Sequence, residues 1–340
     1  MAKVLHIKDN KKRYVLKVDN PEKIEINQGE YNSIYDKKGN QYKTSCINCK
    51  NKTCKNINKD KIRISKFHEI ENFTQNDMCP CNAILEEEKC IKIDRNKCIG
   101  CGLCAINCPF GAIYIKEGKA GVSFNECILE ETQNENEQME CINKFDSIKK
   151  GEGIIKESDI YINKLYRKIE LLSQEEQNIL IRNVLLTLGF NTTLSRKGSI
   201  YLRMDGFWQK GDKFGVVEIE TGQDMLDVSR AILDDIAVSH ARYGVNKDKE
   251  HPLAVLLSLP NKRTDFWQVI KDINKVVNIK INTITFGALL LLVWNNVEIN
   301  HFDDFYLDMD NMSIRKQLEE LLGRKINISQ GYYGVLENQK

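Results

Sequence analysis

The residues best equipped for chemistry are cysteines. All twelve lie between Cys46 and Cys141, and the 199 residues that follow have none. Nothing in the sequence calls for an oxidising compartment, so clustered thiols read first as metal ligands rather than as a disulfide framework. Cys98-Ile-Gly-Cys101-Gly-Leu-Cys104-Ala-Ile-Asn-Cys108-Pro109 has the spacing C-x2-C-x2-C-x3-C-P, which suits an iron–sulfur cubane. Three thiolates on one tight loop reach three corners of a cubane. Gly100 and Gly102 let backbone amides turn toward the sulfides, and Pro109 turns the chain so that the fourth thiolate points toward a second cluster. Zinc, or thiols with no ligand at all, is the plainer alternative.

The rest of a second ligand set is less regular. Cys46-x2-Cys49-x4-Cys54 supplies three thiols, and Cys79-Pro80-Cys81-Asn82-Ala83-Ile84 follows. That last run and Cys108-Pro109-Phe110-Gly111-Ala112-Ile113 both read C-P-x-x-A-I, an internal repeat. Residues 46–115 therefore resemble a two-cluster [4Fe-4S] bacterial-type ferredoxin, from which they depart in the x4 spacing and the 55–78 insertion. The resemblance implies an α+β iron–sulfur domain with crossed ligation. Cys98, Cys101, Cys104 and Cys79 would hold one cluster; Cys46, Cys49, Cys54 and Cys108 would hold the other. Cys81 is an alternative to Cys79, although the proline after Cys79 favours the latter. Cys81, Cys90, Cys127 and Cys141 are left over, and Val122-Ser-Phe-Asn-Glu-Cys127 echoes Ile93-Asp-Arg-Asn-Lys-Cys98 without the C-x2-C that should follow. A domain this poor in hydrophobic residues depends on its metal to stay folded.

The second group able to do chemistry is acidic. Glu218 and Glu220 are two apart in Phe214-Gly-Val-Val-Glu-Ile-Glu220, so on a strand they project to one face while Val217 and Ile219 face a core. Asp205, at the end of a preceding strand of the same hairpin, can sit opposite them. Three converging carboxylates repel unless a hard cation such as Mg2+ or Mn2+ neutralises them. Two glutamates facing water on an edge strand are the bland alternative.

The elements that must position these acids can be read from pattern. Ser173-Gln-Glu-Glu176 is a capping box opening a helix that stops at Gly189. A strand Ser199–Met204, a hairpin through Lys210–Lys213 and the strand Phe214–Glu220 follow. Then come a helix from about Asp224 to Tyr243, a strand Leu253–Leu259, a helix from about Asp265 to Val277 and a strand Thr283–Trp294. The later strands are continuously apolar, as in a central sheet covered on both faces. Neither G-x-G-x-x-G nor G-x4-G-K-[ST] occurs, which weighs against nucleotide-binding α/β folds.

This order of elements, with Asp205 before a hairpin to Glu-x-Glu and a long helix after it, resembles the PD-(D/E)xK nuclease superfamily in its E-x-E form over about residues 165–300. The resemblance implies a restriction-endonuclease-like α/β domain with a central mixed sheet and a Mg2+-dependent deoxyribonuclease. Asp205 and Glu218 would be the catalytic metal ligands, Glu220 would stand where lysine is usual, and Met204 replaces the proline. Lys197, Lys210, Lys213 or a second metal would then stand in for the missing lysine. Glu176, on the first helix, is a candidate fourth acid as well as a cap. Arg230, His240 and Arg242 on the long helix, Lys262 and Arg263, and Trp208 are candidate contacts to phosphate or base; solvated helix and core packing explain them as simply.

Charge and length complete the sequence picture. Residues 1–66 hold 17 Lys and Arg against 7 Asp and Glu, residues 67–160 hold 10 against 18, and the remainder is balanced at 23 against 23. The basic start suits a polyanion such as DNA, and equally a solvated Lys-rich surface. The longest apolar run, Ala288–Trp294, is too short to span a membrane, and no apolar leader is visible; a cytoplasmic location away from membranes is expected. The expected organisation is a basic β-rich segment (1–45) with two or three short strands, a dicluster ferredoxin-like domain (46–128), a polar linker (129–160) and a nuclease-like domain (161–340). Two functions compete. One is an iron–sulfur-containing DNA endonuclease. The other is an electron-transfer or redox-sensing protein whose second domain docks a partner protein or DNA.

Overall fold

The computed structural model describes residues 3–9, 12–18, 52–64, 76–86, 91–107, 113–116, 119–122, 165–195, 204–222, 226–295, 297–328 and 334–338. The chain divides into two compact units: residues 1–57 with 77–154, and residues 58–76 with 155–340.

The first unit is built from short antiparallel pairs. Strands β1 (Lys3–Asp9) and β2 (Lys12–Val18) form one ladder, which agrees with the short strands expected at the start of the chain. Strands β3 (Ile84–Glu86) and β4 (Ile91–Ile93) form a second, and β5 (Ile113–Lys116) and β6 (Lys119–Val122) a third. The isoleucines that end the two C-P-x-x-A-I copies take equivalent places: Ile84 and Ile113 each open a two-stranded ladder and both are buried. The one-turn helix α1 (Leu103–Asn107) follows the cysteine loop and buries Leu103 and Ala105. Cys46, Cys49, Cys90, Cys108, Cys127 and Cys141, with the linker 129–160, lie outside the described residues.

The second unit is an α/β domain on a five-stranded mixed sheet. Helix α2 (Gln174–Thr187) starts at the expected capping box: the Ser173 hydroxyl accepts from the Glu176 amide, and the Glu176 carboxylate accepts from the Ser173 amide. Gly189, at φ +89°, lets the chain leave the helix through a left-handed residue. Strand β7 (Asn191–Leu194) pairs antiparallel with β8 (Gly206–Lys210), which turns at Gly211 into β9 (Lys213–Glu220). Helix α3 (Leu226–Tyr243) crosses to β10 (Leu253–Leu256), and α4 (Phe266–Val277) to β11 (Asn282–Thr285). Both strands run parallel to their neighbour, so the sheet order is β11-β10-β9-β8-β7. Right-handed crossovers put α3 and α4 on one face. Helix α5 (Phe286–Trp294) packs with α2, and α6 (Arg315–Leu322) packs with α5.

The strand that pairs with β9 is Gly206–Lys210, so Asp205 stands just before it; the expected strand Ser199–Met204 lies, but for Met204, outside the described residues. One expected strand needs correction: Thr283–Trp294 is β11 followed directly by α5. An unbroken apolar run has no period to separate the two conformations. Here Thr285 decides, since its hydroxyl accepts from the Ala288 amide at 3.2 Å and starts a helix that leucines favour. The same hydroxyl donates to the Val335 carbonyl at 2.6 Å. All nine residues of α5 are buried.

Thr285→Val keeps the shape but strands a buried amide and a buried carbonyl. The expected cost is about 1–3 kcal/mol, read as a lower midpoint in thermal or urea unfolding of the full chain.

Candidate metal centres

In the first unit the cysteines converge as their spacing requires. Cys79, Cys81, Cys98, Cys101 and Cys104 line one cavity together with Met78, Ala83, Ile84, Ile93, Ile99, Gly100, Gly102 and Leu103. Gly100 and Gly102 are at φ +85° and +81°, a conformation that costs a residue with a Cβ. That glycine-set turn is what lets Cys98, Cys101 and Cys104 share one concavity. None of the six described cysteines is in a disulfide. The donor set fits a [4Fe-4S] cluster: soft sulfur ligands in excess of four, apolar walls, and a backbone free to approach closely.

The cavity also holds both candidates for the fourth ligand. The Ala83 amide donates to Cys79 Sγ at 3.2 Å, and Cys79 and Cys81 sulfurs lie 3.6 Å apart. The hydrogen bond to Cys79, then burial, pushes the Cys81 thiol far above its ordinary range, and burial pushes Cys101 up to about 12. Thiols are therefore held neutral here until a metal replaces their protons. Cys54 is buried and does not line this cavity. The hydroxyl of its neighbour Thr53 donates to the Asn107 carbonyl at 2.6 Å, which ties the residue before Cys54 to the residue before Cys108.

In the second unit, β8 and β9 pair Gly206 with Val217, so continuing that register sets Asp205 opposite Glu218. Asp205 is fastened there: its Oδ2 accepts from the Ile219 amide at 2.9 Å and its Oδ1 from Asn178 Nδ2 at 3.1 Å. Val217 and Ile219 are buried on the alternate positions of β9, as expected. Glu220 differs from expectation, because its Oε1 accepts from the Gly222 amide just beyond the strand, at 2.5 Å. Glu176 is held by Ser173 in the helix cap; from α2 it is Asn178 that reaches Asp205.

Sequence reasoning missed Asp235. It lies on the buried stripe of α3 with Val228, Ile232, Ile236 and Ser239 and has no exposed surface; no amide or hydroxyl donates to either carboxylate oxygen, and the Glu218 carboxyl is its neighbour within hydrogen-bond reach. Glu218 Oε2 is also buried without such a donor. A polar residue at an apolar stripe position was the available signal. Burial pushes Asp205 up to about 6 and Asp235 up to about 7. It pushes Glu218 up to about 9, with the neighbouring charges of Asp205 and Asp235 adding to the effect. As the side chains stand, no three His, Cys, Asp or Glu among the described residues already close on a common ion position.

The other candidates are placed elsewhere. Lys210 donates to the carbonyls of Ile299 and Leu188, and Lys213 pairs with Asp303 at 2.7 Å, so neither faces the acids. Lys197 lies outside the described residues. Trp208 is fully buried, with its indole N–H on the His251 carbonyl, and stacks on no base. Arg230, His240, Arg242, Lys262 and Arg263 are exposed.

Residues 91–114 match the model of the 4Fe-4S binding domain. The chain is 39% identical over 80 residues to an uncharacterized ferredoxin of Methanocaldococcus jannaschii, covering 22% of this chain and 52% of that one. It is 46% identical over 46 residues to hydrogenase-4 component A of Escherichia coli, covering 14% and 22%. The chain thus spans about half or less of the length of these two relatives. Restriction endonuclease FokI superposes on 54% of this chain and 35% of its own, at 13% identity and a TM-score of 0.28, a likeness too slight to carry an argument. The chain therefore holds a ferredoxin-type iron–sulfur region and a separate α/β domain with a mixed sheet, and no described helix is long and apolar enough to cross a membrane.

The acids also set a pH dependence. A carboxyl whose pKa is raised on folding keeps its proton after the unfolded chain has lost it, so stability falls as pH rises between the two values. For Glu218 that window runs from about 4.5 to about 9. With EDTA present, melting temperature is expected to drop across this window and level off above it, and Glu218→Gln should flatten the upper half of the decline.

Proposed function

We propose that this chain is an iron–sulfur protein holding two [4Fe-4S] clusters, which carry or sense single electrons. The observation that carries this reading is the five-thiol cavity on the glycine-set turn at Gly100 and Gly102. Cys98, Cys101, Cys104 and Cys79 would hold the first cluster. Cys79 is favoured over Cys81 because the Ala83 N–H points at its sulfur, a donor that stabilises a thiolate. Cys46, Cys49, Cys54 and Cys108 would hold the second, and the Thr53–Asn107 bond supports that crossed assignment. When bound, a [4Fe-4S] cluster supplies reversible one-electron storage at a potential set by hydrogen bonds to sulfur and by solvent exposure. The chain contributes the apolar wall of Ala83, Ile84, Ile93, Ile99 and Leu103, which limits water access, and amides that stabilise charge on sulfur. A redox protein is the partner this reading requires.

A second reading concerns the α/β unit, and a specific observation favours it: Asp205 is fixed by the Ile219 amide next to Glu218, and among the described residues no lysine or arginine forms an ion pair with it. We infer that this unit is a hydrolase of the nuclease type acting on phosphodiesters, with Asp205 and Glu218 holding Mg2+ or Mn2+. When bound, such a cation supplies charge stabilisation and a more acidic water. Asp205 and Glu218 bind and orient it, and Asn178 holds Asp205 in place. The basic first 66 residues supply charge for DNA.

Two experiments test these readings. Anaerobically purified chain should contain about eight iron and eight sulfide; Cys79→Ser should lose about half of both while Cys81→Ser loses none. Colourless protein without sulfide overturns the iron–sulfur reading. Plasmid cleavage in Mg2+ or Mn2+ should fall about 100-fold or more in Asp205→Ala/Glu218→Ala, and equal cleavage by the double variant and the wild type ends the nuclease reading.

A further inference from the structure

The buried carboxylates of the second unit pose a problem that Asp205 and Glu218 alone do not solve. Asp235 has no exposed surface, and no amide or hydroxyl donates to either of its oxygens. Glu218 Oε2 shares that condition, and Asp205, although hydrogen-bonded, adds a third carboxylate beside them. Among the described residues none of the three has a lysine, arginine or histidine in an ion pair. An isolated buried carboxylate costs several kcal/mol or more, so three together must either hold protons or take a counter-charge from outside the protein.

The geometry points to Asp235. We propose that Asp205, Glu218 and Asp235 are the protein ligands of one divalent-cation site, with Asp235 in the place that the E-x-E spacing suggests for Glu220. This inference deepens the hydrolase reading and rests on it. Three features support it. Helix α3 packs on β9 and carries Asp235 on its buried stripe, so Asp235 reaches Glu218 from a separate element. Glu220 accepts from the Gly222 amide at the end of β9 and, unlike Glu218 and Asp235, has no carboxylate oxygen buried without a donor. The donors are all carboxylate oxygens, which select a hard ion such as Mg2+ or Mn2+ over a soft one. Glu218 and Asp235 stand within hydrogen-bond reach of each other, a carboxyl–carboxylate contact that a cation replaces when it displaces the shared proton; Asp205 keeps the amide contacts that place it. Ser239 donates to Glu250 Oε2 at 2.8 Å one turn further along α3, which gives that acid a hydroxyl donor that Asp235 lacks.

The test uses the full chain, purified anaerobically with its clusters oxidised, and Mn2+ alone as the probe. Free Mn2+ is followed by its electron paramagnetic resonance signal, and melting temperature is recorded with and without Mn2+. Wild type should bind one Mn2+ and gain melting temperature. Asp235→Asn should bind at least about 10-fold more weakly, melt higher than wild type in EDTA because a buried charge is gone, and gain little from Mn2+. Glu220→Gln should bind as wild type. If Asp235→Asn binds Mn2+ like wild type while Asp205→Asn does not, Asp235 is no ligand and the inference fails, although the hydrolase reading stands. If wild type binds no Mn2+, the acids hold protons instead and both fall. Should Asp235→Asn not fold, Asp235→Ser, which removes the carboxylate and leaves room for water, takes its place with the same outcomes.

Discussion

A group that carries charge, or gains it by losing a proton, cannot be buried without an answer from its surroundings. Both units of this chain are arranged around that constraint. In the first, the thiols of Cys79, Cys81, Cys98, Cys101 and Cys104 face one apolar-walled cavity, where a bare thiolate is unfavourable and a metal-bound one is not. In the second, Asp205, Glu218 and Asp235 are drawn into the domain, where Asp205 takes the Ile219 amide and Asn178 and the other two have no amide or hydroxyl donor among the described residues. The apolar cores around these groups are ordinary. What is particular to this chain is the polar content those cores enclose.

Strand β9 converts this constraint into a geometry. Its even positions carry Glu218 and Glu220 and its odd positions bury Val217 and Ile219, so a slip of one residue would exchange the acids with the core. Pairing on both sides prevents the slip: β8 is antiparallel on one edge, and β10 is parallel on the other with Glu218 beside Ala254. Gly215 lets the His251 carbonyl come within 1.9 Å of where a Cβ would stand, so the start of β9 and the approach to β10 meet too closely for any larger residue. Both backbone constraints act on the strand that supplies Glu218 and the amide of Ile219. The right-handed crossover from β9 through α3 then brings Asp235 back over the same strand.

How much of this could be read in the sequence depended on the range of the signal. The cysteine run was legible because its ligands share one short loop, and its repeat was legible because Ile84 and Ile113 begin equivalent ladders. The capping box at Ser173 and the stop at Gly189 are also local and were read correctly. The hairpin acids were legible through the two-residue period of a strand, but what Glu220 does was not, since its partner lies in the turn beyond the strand. Asp235 was missed because adjacent Asp234 and Asp235 look alike in a helix, and only the packing of α3 exposes one and buries the other. The segment Thr283–Trp294 was misread because apolarity alone has no period, and the cap at Thr285 that decides it depends on the carbonyl of Val335, fifty positions away.

The two sets of donors also differ in what they exclude. Thiolates favour iron and other soft ions, whereas carboxylates favour Mg2+ and Mn2+. A thiol placed beside carboxylates would shift their preference toward soft ions. The sequence keeps the two sets apart throughout its length: the last cysteine is Cys141, and none occurs in the stretch that contains Asp205, Glu218 and Asp235. The histidines of the α/β unit follow the same pattern. Among the described residues His251 and His301 turn their Nδ1 atoms to Asp303, and His240 turns its Nδ1 to the Val245 carbonyl, so the donors gathered at Asp205, Glu218 and Asp235 are oxygens.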